Sequence, residues 1–220
     1  MSITKGWDWQ ENVDQKWLVP SNEIYYLKSR WKDNKSVTFL DLGCGLGRHS
    51  ILMSKDGFRV SAFDISYDGL AHLKKWSQKE EVNIDIRQGN MLGLPYDTST
   101  FGCVLAYNVI YHTDTIGFEK ALSEVSRVLK PGGELFLTLL SKNTWTWQQG
   151  DAGNKIDKNT ILRNETEVEK NVPHFYVAYE DLKELFEDWS FIQNPVELTE
   201  YYDNGKFSTH WNILVSKKPE

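Results

Sequence analysis

The chain has 220 residues, which is room for one α/β domain with a well-covered core. Forty per cent hydrophobic and 25% charged residues are ordinary for a globular protein, and they exclude collagen-like, low-complexity and wholly disordered chains. The 25 basic and 31 acidic side chains give a net charge of −6, so the chain as a whole lacks the positive field that holds a phosphate backbone, and we expect no nucleic-acid partner.

Two patterns alternate along the middle of the chain: short β-branched or aromatic runs, and amphipathic stretches at helical spacing. This alternation predicts an α/β fold of the doubly wound kind, in which helices cover both faces of a parallel sheet. A first amphipathic helix is predicted at 22–31. The strands that follow are predicted at 37–42, 58–63, 82–87, 101–107 and 134–140. Helices are predicted between them at 48–55 and 116–129, and a further helix begins after an N-cap at Ser66.

The last third departs from this alternation. A short helix is predicted at 179–186 and a strand at 190–198. Asp203, Asn204 and Gly205 then supply a hairpin turn, so residues 207–216 should pair antiparallel with the preceding strand. The predicted core leaves two segments outside it, residues 1–36 and the long, polar loop at 141–178.

A glycine-rich segment, LDLGCGLGRH, joins the first strand to the next helix. Gly43, Gly45 and Gly47 carry no Cβ, so the main chain there can come close to a ligand. In an open parallel sheet, ligands bind beyond the carboxyl ends of the strands where the strand order reverses, and the first strand is the natural place for that reversal. Asp64, at the end of the second strand, is placed to accept hydrogen bonds from both hydroxyls of a ribose.

Two cofactors could use such a pocket. A nicotinamide dinucleotide requires the spacing G-x-G-x-x-G, whereas this loop reads G-x-G-x-G and follows Asp41. An acid there would repel a pyrophosphate but attract a cationic amino group or a sulfonium. The local charge therefore favours S-adenosylmethionine over NAD. A glycine-rich turn without any ligand is the structural alternative.

Four motifs in order resemble those of the class I S-adenosylmethionine-dependent methyltransferases: DLGCGLGRH, the acid in FDIS, GNMLGLPYDTSTFGCVLAYNVIYHTD and LSEVSRVLKPGGELFLTLLS. The resemblance covers about residues 37–140. It implies a Rossmann-like, seven-stranded sheet of order 3-2-1-4-5-7-6 with strand 7 antiparallel, which agrees with the hairpin predicted from the turn residues.

The resemblance also implies the cofactor-binding residues. Asn90 departs from the Asp that is common in the family, although an amide oxygen can also accept from the adenine amino group. Arg48 is a candidate to bind the cofactor carboxylate as a fork, with a solvated side chain or a local ion pair as the equal alternative. The resemblance places Asp41, Gly43, Gly45 and Gly47 along the methionine moiety, Asp64 at the ribose, Ile65, Asn90 and Met91 around adenine, and Asn108 near the methionine part.

Methyl transfer from a sulfonium is an in-line displacement with an activated donor, so the protein mainly aligns a nucleophile and excludes water. A general base is needed only for a hydroxyl or ammonium acceptor. His112, after the fourth strand, and His174, near the end of the insertion, are the candidate catalytic residues, with a structural role and a hinge position as the respective alternatives. His49 and His210 are expected to pack or to form local hydrogen bonds.

Aromatic residues are abundant, with 9 Trp, 10 Tyr and 10 Phe. Tryptophans stand in the N-terminal segment and directly after the fifth strand, at Trp7, Trp9, Trp17, Trp145 and Trp147. We expect the two segments to fold over the cofactor as an aromatic chamber for a small, partly apolar acceptor, with Trp9, Tyr111 and Trp147 as substrate residues. Coverage of the core's rim would explain the same residues. NVIY at 108–111 is similar to the N-P-P-Y signature of nucleic-acid and protein methyltransferases, but it lacks both prolines.

The sequence thus predicts an enzyme, an S-adenosylmethionine-dependent methyltransferase with a small-molecule acceptor. A non-catalytic module that binds the same cofactor and, less favoured, an NAD-dependent oxidoreductase are the alternatives. The HFYVAYEDL stretch is similar to small-molecule members of the family rather than to macromolecule modifiers. We expect a single domain over 1–220, divided into an N-terminal lid segment (1–36), a cofactor-binding half (37–140), a substrate-cap insertion (141–178) and a C-terminal helix and hairpin (179–220).

The expected location is cytoplasmic, with no membrane partner. The longest strongly apolar stretch, at 101–111, is too short for a bilayer span, and the N-terminal MSITKGWDWQENVDQ has no signal-peptide pattern. Cys44 and Cys103 each lie in an apolar run, so two buried thiols are expected rather than a disulfide framework or a metal site.

Overall fold

The structure is a computed structural model that describes residues 9, 15–35, 37–149, 154–163 and 171–218. Trp7, one of the tryptophans assigned above to the acceptor chamber, lies outside the described residues. Within these ranges, every helix is too short or too polar to cross a bilayer.

The described elements follow the predicted alternation through the first two thirds of the chain. A 3-10 helix (Gln15–Leu18) and α1 (Asn22–Asp33) precede the sheet. The next elements are β1 (Thr38–Leu42), α2 (Arg48–Lys55), β2 (Arg59–Asp64), α3 (Tyr67–Lys79), β3 (Ile84–Gln88), β4 (Phe101–Ala106), α4 (Thr115–Val128) and β5 (Leu129–Ser141). The last are α5 (Trp145–Gln148), β6 (Thr160–Arg163), β7 (Val172–Val177), α6 (Tyr179–Leu185), β8 (Trp189–Phe191), β9 (Val196–Tyr201) and β10 (Phe207–Lys217).

The central strands lie in the order β3-β2-β1-β4-β5-β10-β8. Strands β1 to β5 pair parallel, and β10 pairs antiparallel with β5 from His210 opposite Leu140 to Ser216 opposite Glu134. The predicted order 3-2-1-4-5-7-6 is confirmed, with β10 in the place of strand 7 and β8 in that of strand 6. The carboxyl ends of β1, β2, β4 and β5 therefore meet at one edge of the sheet.

The predicted strand at 190–198 is two strands in the structure. β8 pairs with β10 at Val215–Lys217, whereas β9 pairs with the other end of β10, from Phe207 to Asn212. Pro195 separates them, and a proline cannot donate to a ladder of backbone hydrogen bonds.

The expectation of a long loop at 141–178 is wrong. The segment contains α5 and an antiparallel pair, β6 with β7, and β7 also pairs parallel with β5 where Leu140 faces Tyr176. All six residues of β7 are buried. A strand covered on both faces carries no polar alternation, which is why the periodicity of the sequence did not reveal it.

Hydrophobic side chains pack on both faces of the sheet. Phe39 of β1 contacts Trp31 of α1 on one face, with 5.8 Å between ring centroids, and Leu40 joins the cluster on the other face. On that second face Phe118 of α4 stacks on Phe175 of β7 at 4.4 Å. β4 is buried along its whole length, as predicted for a central strand.

A buried carboxylate fixes the N-terminal helix to the sheet. Glu134 of β5 is 6% exposed and accepts from Nε and Nη2 of Arg30, at 2.9 and 2.8 Å. It also accepts from Nε1 of Trp31 at 2.9 Å and from Nδ2 of Asn34 at 3.2 Å. Four donors on one carboxylate offset the cost of its burial, and they hold α1 against the sheet.

We predict that Glu134→Ala lowers the free energy of unfolding by about 3 kcal/mol, because removing one partner of a buried ion pair leaves the other charge uncompensated. Urea denaturation measures this value. The matched control is Glu119→Ala, which removes an exposed carboxylate from α4 and should change stability by less than about 0.5 kcal/mol. Equal stability of the two variants would contradict the anchoring role.

Candidate functional site

A cavity of about 600 Å³ lies at the carboxyl ends of β1, β2 and β4, within the size range of small-molecule sites. The glycine loop, the N-terminal segment, the loop after β4, and residues of α5, β6, β7 and β10 line it together. This is the edge at which the sequence predicts ligand binding. The wall is therefore built from both the central sheet and the two segments that were predicted to lie outside it.

Two of the three loop glycines face the cavity. Gly43 has φ +70°, and a Cβ there would lie 2.2 Å from Cγ2 of Val109. Gly45 has φ +53°, and a Cβ there would lie 2.7 Å from Cζ2 of Trp9. Both positions combine a left-handed backbone with a contact too short for any side chain, so only glycine satisfies them.

Asp41 and Gly47, also predicted as cofactor residues, do not line the cavity. Gly47, with φ +95°, stands at the N-cap of α2, and its missing Cβ leaves room for Leu73 of α3. Asp41 is 1% exposed and accepts from Oγ of Ser50 at 2.5 Å. Burial raises the pKa of Asp41 to about 6 against the opposing effect of that hydrogen bond.

Asp64 lines the cavity and joins the loop to the start of α3. Its Oδ2 accepts from the N–H of Gly45 and its Oδ1 from the N–H of Ser66, both at 2.8 Å. Burial raises the pKa of the Asp64 carboxyl, and the backbone N–H groups oppose that rise. Each carboxylate oxygen has a further lone pair, so the group can also accept from hydroxyls in the cavity.

The four other predicted cofactor residues, which follow β2, β3 and β4, also line the cavity. Ile65 is 37% exposed, and Met91 is buried. Oδ1 of Asn90 accepts from the N–H of Leu92 at 3.0 Å, which orients its amide. Asn108 adopts a left-handed backbone, φ +53°, and is held by Oγ1 of Thr138, which accepts from its N–H at 2.7 Å and donates to its Oδ1 at 2.8 Å.

Arg48 connects residues 16–19 of the N-terminal segment to the start of α2, next to the glycine loop. Its Nη1 donates to the carbonyl oxygens of Lys16 and Val19, both at 3.0 Å. Its guanidinium lies over the rings of Trp17 and Tyr107, at 5.4 and 5.5 Å. The alternative of a solvated arginine is therefore wrong, and Arg48 is a wall residue with donors near the glycine loop.

Aromatic side chains form much of the remaining wall, but not all of those predicted. Trp9 and Tyr111 line the cavity, and Trp9 makes an edge contact with Trp17 at 5.8 Å. Trp147, which was predicted as a substrate residue, does not line the cavity and packs on Tyr176 at 5.2 Å between ring centroids. Trp145 takes its place on the wall.

The cavity wall also contains a group of imidazoles. His112 and His174 both line it, with ring centroids 4.9 Å apart. His210 of β10 joins them, with Nε2 at 3.3 Å from Oη of Tyr111. Arg163 of β6 lines the same part of the wall.

These imidazoles are neutral at pH 7. Burial, with a smaller effect of the Arg163 charge, lowers the pKa of His112 to about 3 and that of His210 to about 4. Burial and the neighbouring His112 hold the pKa of His174 well below its usual range. A neutral imidazole carries one N–H donor and one acceptor, so the group can orient a polar ligand from several sides.

Sequence reasoning missed His210, Arg163 and the wall residues of the β9–β10 turn. Ser208 and His210 are two residues apart on β10 and both line the cavity, so strand alternation carried a signal for that pair. Lys206 lines the cavity from the turn that the sequence predicts only as a hairpin, with Nζ 4.3 Å from the ring centroid of Trp145. No pattern of the sequence linked Arg163 to the site, because it lies in the unpredicted strand β6.

Residues 39–133 match the family model of a methyltransferase domain. Over 122 residues, or 56% of the chain, the sequence is 35% identical to an uncharacterised protein of Methanocaldococcus jannaschii, with 49% of that protein covered. Over 109 residues, or 49% of the chain, it is 29% identical to a ubiquinone biosynthesis O-methyltransferase of Methylocella silvestris, with 41% of that protein covered. The chain thus spans less than half the length of either relative.

The fold has close counterparts among solved structures. A structure described as an S-adenosylmethionine-dependent methyltransferase of Methanosarcina mazei superposes with a TM-score of 0.71 over 83% of this chain and 93% of that one. The two sequences are 18% identical, so this likeness shows the fold. It agrees with the strand order read from the hydrogen-bonded ladders.

We predict that the free energy of unfolding falls as the pH drops from about 6.5 to about 4. The unfolded chain binds protons at its histidines near pH 6.5, whereas the pKa values of His112 and His210 in the folded chain are about 3 and about 4. Since the unfolded state then binds more protons, each of the two histidines lowers stability by about 1.4 kcal/mol per pH unit in this window.

Urea denaturation at a series of pH values measures the slope. The double variant His112→Gln, His210→Gln should show a smaller slope than the wild-type chain below pH 6.5, whatever its stability at pH 7. Identical slopes would contradict the neutral, buried state of the two rings.

Proposed function

We propose that this chain, whose residues 39–133 match the family model of a methyltransferase domain, is a class I S-adenosylmethionine-dependent methyltransferase that transfers a methyl group to a small-molecule acceptor. The observation that carries the proposal is the continuity of one cavity. The glycine loop and Asp64 stand in its wall together with Tyr111 and the three imidazoles. A donor bound at the loop and an acceptor bound among the imidazoles would share one enclosed space.

The residues around the loop fit S-adenosylmethionine. Asp64 retains acceptor capacity for the ribose hydroxyls, and Arg48 and Lys16 supply positive charge for the carboxylate of the methionine moiety. Phe63, Ile65 and Met91 give apolar contact for adenine. When bound, S-adenosylmethionine supplies an activated methyl group on a sulfonium.

The chain's own contribution is alignment and exclusion of water. Asn108, fixed by Thr138, presents its backbone at the junction of the loop and the imidazole group. The N-terminal segment is held over the cavity by Arg48 and by His49, whose Nε2 accepts from the N–H of Ser21 at 3.1 Å. Holding two reactants in a reactive geometry can supply about 7–11 kcal/mol of a barrier.

For His112 and His174 we propose an orienting role. An imidazole with a pKa of about 3, as at His112, has little affinity for a proton at pH 7 and is a weak general base. A neutral imidazole has one N–H donor and one acceptor nitrogen, and such groups can help to fix the position of a polar acceptor. Proton abstraction from the acceptor is therefore not assigned to either ring.

Three features support a small-molecule acceptor. The imidazoles line a cavity of small-molecule size, the chain carries a net charge of −6, and one relative is named a ubiquinone biosynthesis O-methyltransferase. An extended nucleic acid or protein chain would need an open, complementary surface.

The test is transfer of label from methyl-tritiated S-adenosylmethionine to a small-molecule extract, with calorimetric titration of S-adenosylhomocysteine and NAD in parallel. We expect labelled product and binding of S-adenosylhomocysteine alone. Binding without transfer to any acceptor would support the non-catalytic module, and binding of NAD alone would support the oxidoreductase.

We predict that Asp64→Ala weakens binding of S-adenosylhomocysteine about 100-fold, because hydrogen bonds from two ribose hydroxyls to a charged group are lost. The matched control is Asp85→Ala, which removes an exposed carboxylate of β3 that accepts from Nε of Arg87. It should bind with wild-type affinity. Calorimetry measures both, and a cooperative melt verifies that each variant is folded. Equal affinities of the two variants would contradict binding of the ribose at Asp64.

We predict that Gly45→Ala weakens the same binding at least about tenfold, because the new methyl group meets Trp9 and shifts the loop. Gly57→Ala is the matched control: its φ is +89°, and a Cβ there meets nothing within 4 Å. Both variants carry about 1 kcal/mol or more of left-handed strain, so the control separates that strain from the effect of a methyl group in the cavity wall. Wild-type affinity in Gly45→Ala would refute a tightly fitted loop.

A further inference from the structure

The cavity has the opposite charge to the chain. Of the described residues that line it, four are basic and one, Asp64, is acidic, whereas the whole chain carries −6. The basic residues are Lys16, Arg48, Arg163 and Lys206. In a shielded site such an excess attracts anions more strongly than the same charges would at an open surface.

The four basic residues form two pairs on different elements. Lys16 and Arg48 belong to the N-terminal segment and to the start of α2, next to the glycine loop, where the proposed function places the carboxylate of the cofactor. Arg163 ends β6, and Lys206 lies in the turn between β9 and β10. S-adenosylmethionine brings one carboxylate, so the second pair has no counterpart in the cofactor.

Arg163 belongs to the imidazole end of the cavity. Its charge acts on the rings of His112, His174 and His210, and all four side chains line the wall. The rings themselves are neutral and offer donors as well as acceptors. A guanidinium has five N–H donors, so it can bind a ligand oxygen while it keeps other contacts.

We propose that the methyl acceptor is a small anion, whose carboxylate, phenolate or thiolate group binds at Arg163 among His112, His174 and His210. This inference rests on the proposed function and deepens it by naming the charge class of the acceptor. Lys206, over the ring of Trp145, adds a further positive charge to the cavity wall. An acceptor in its ammonium form would meet like charge there.

The proposed step balances for an anionic nucleophile. The acceptor's lone pair forms the new bond to the methyl carbon, and the carbon–sulfur bond breaks with its electron pair left on sulfur. The negative charge of the acceptor and the positive charge of the sulfonium cancel, so no proton is released and no base is required. Neutral imidazoles of low proton affinity are compatible with that reaction.

Two pairs of probes with matched shape test the charge preference: benzoate with benzamide, and phenylacetate with phenylacetamide. Each is titrated into the chain saturated with S-adenosylhomocysteine. We expect at least one anion to bind about tenfold or more tightly than its amide, as one charge-assisted contact implies. Equal binding within both pairs, or no binding by either anion, would overturn the inference.

Variants test whether Arg163 causes the preference for the anion over its amide. Arg163→Gln should abolish it, and Arg163→Lys should keep part of it, because a point charge remains while the fork is lost. The control Arg59→Gln, at the exposed start of β2 and away from the cavity wall, should keep it in full. An unchanged preference in Arg163→Gln would contradict the assignment. All variants should bind S-adenosylhomocysteine as the wild-type chain does.

A second measurement does not depend on the fit of chosen probes. A small-molecule extract is separated on an anion exchanger, and each fraction is offered as acceptor with labelled S-adenosylmethionine. We expect label in a product of the retained fraction, and label only from the unretained fraction would refute the anionic acceptor. Loss of S-adenosylhomocysteine binding itself would instead overturn the proposed function, so the two failures are distinguishable.

Discussion

The site depends on one carboxylate at the end of β2. Asp64 accepts from the N–H groups of Gly45 and Ser66, and so ties the glycine loop to the start of α3. The positive φ of Gly45 lets its N–H point at that carboxylate while the loop stays close to Trp9. These two hydrogen bonds fix the position of the loop relative to the carboxylate. The remaining lone pairs of Asp64 can then accept hydrogen bonds from the cavity. The ribose contact of a nucleoside cofactor follows from the same geometry.

Burial decides the charge state of the rest of the site. Desolvation lowers the pKa values of three imidazoles, and their neutral forms then coexist with the guanidinium of Arg163. Asp41 does not line the cavity and is hydrogen-bonded to Ser50. Among the described residues, a protein of net charge −6 thus lines its cavity with one carboxylate, that of Asp64, and four basic side chains.

The local sequence pattern was sufficient to predict the residues of the glycine loop and Asp64. It was insufficient to predict the residues at the imidazole end of the cavity. The glycine loop and Asp64 follow from spacing within single βα units, where turn chemistry and periodicity act over a few residues, whereas the strand order was implied by the family resemblance. Trp147 was mistaken for a wall residue because two neighbouring tryptophans of α5 cannot be told apart without the packing of Tyr176. Arg163 and His210 reach the site only through the pairing of β6 with β7 and of β10 with β5, which are contacts between segments far apart in sequence.

The most direct test of the account is a crystal structure of the full chain with S-adenosylhomocysteine. The account predicts the nucleoside in the cavity, with both ribose hydroxyls within hydrogen-bonding distance of Asp64, adenine beside Ile65 and Met91, and the sulfur directed toward Tyr111 and His112. A nucleoside bound elsewhere, or one whose ribose does not contact Asp64, would contradict it.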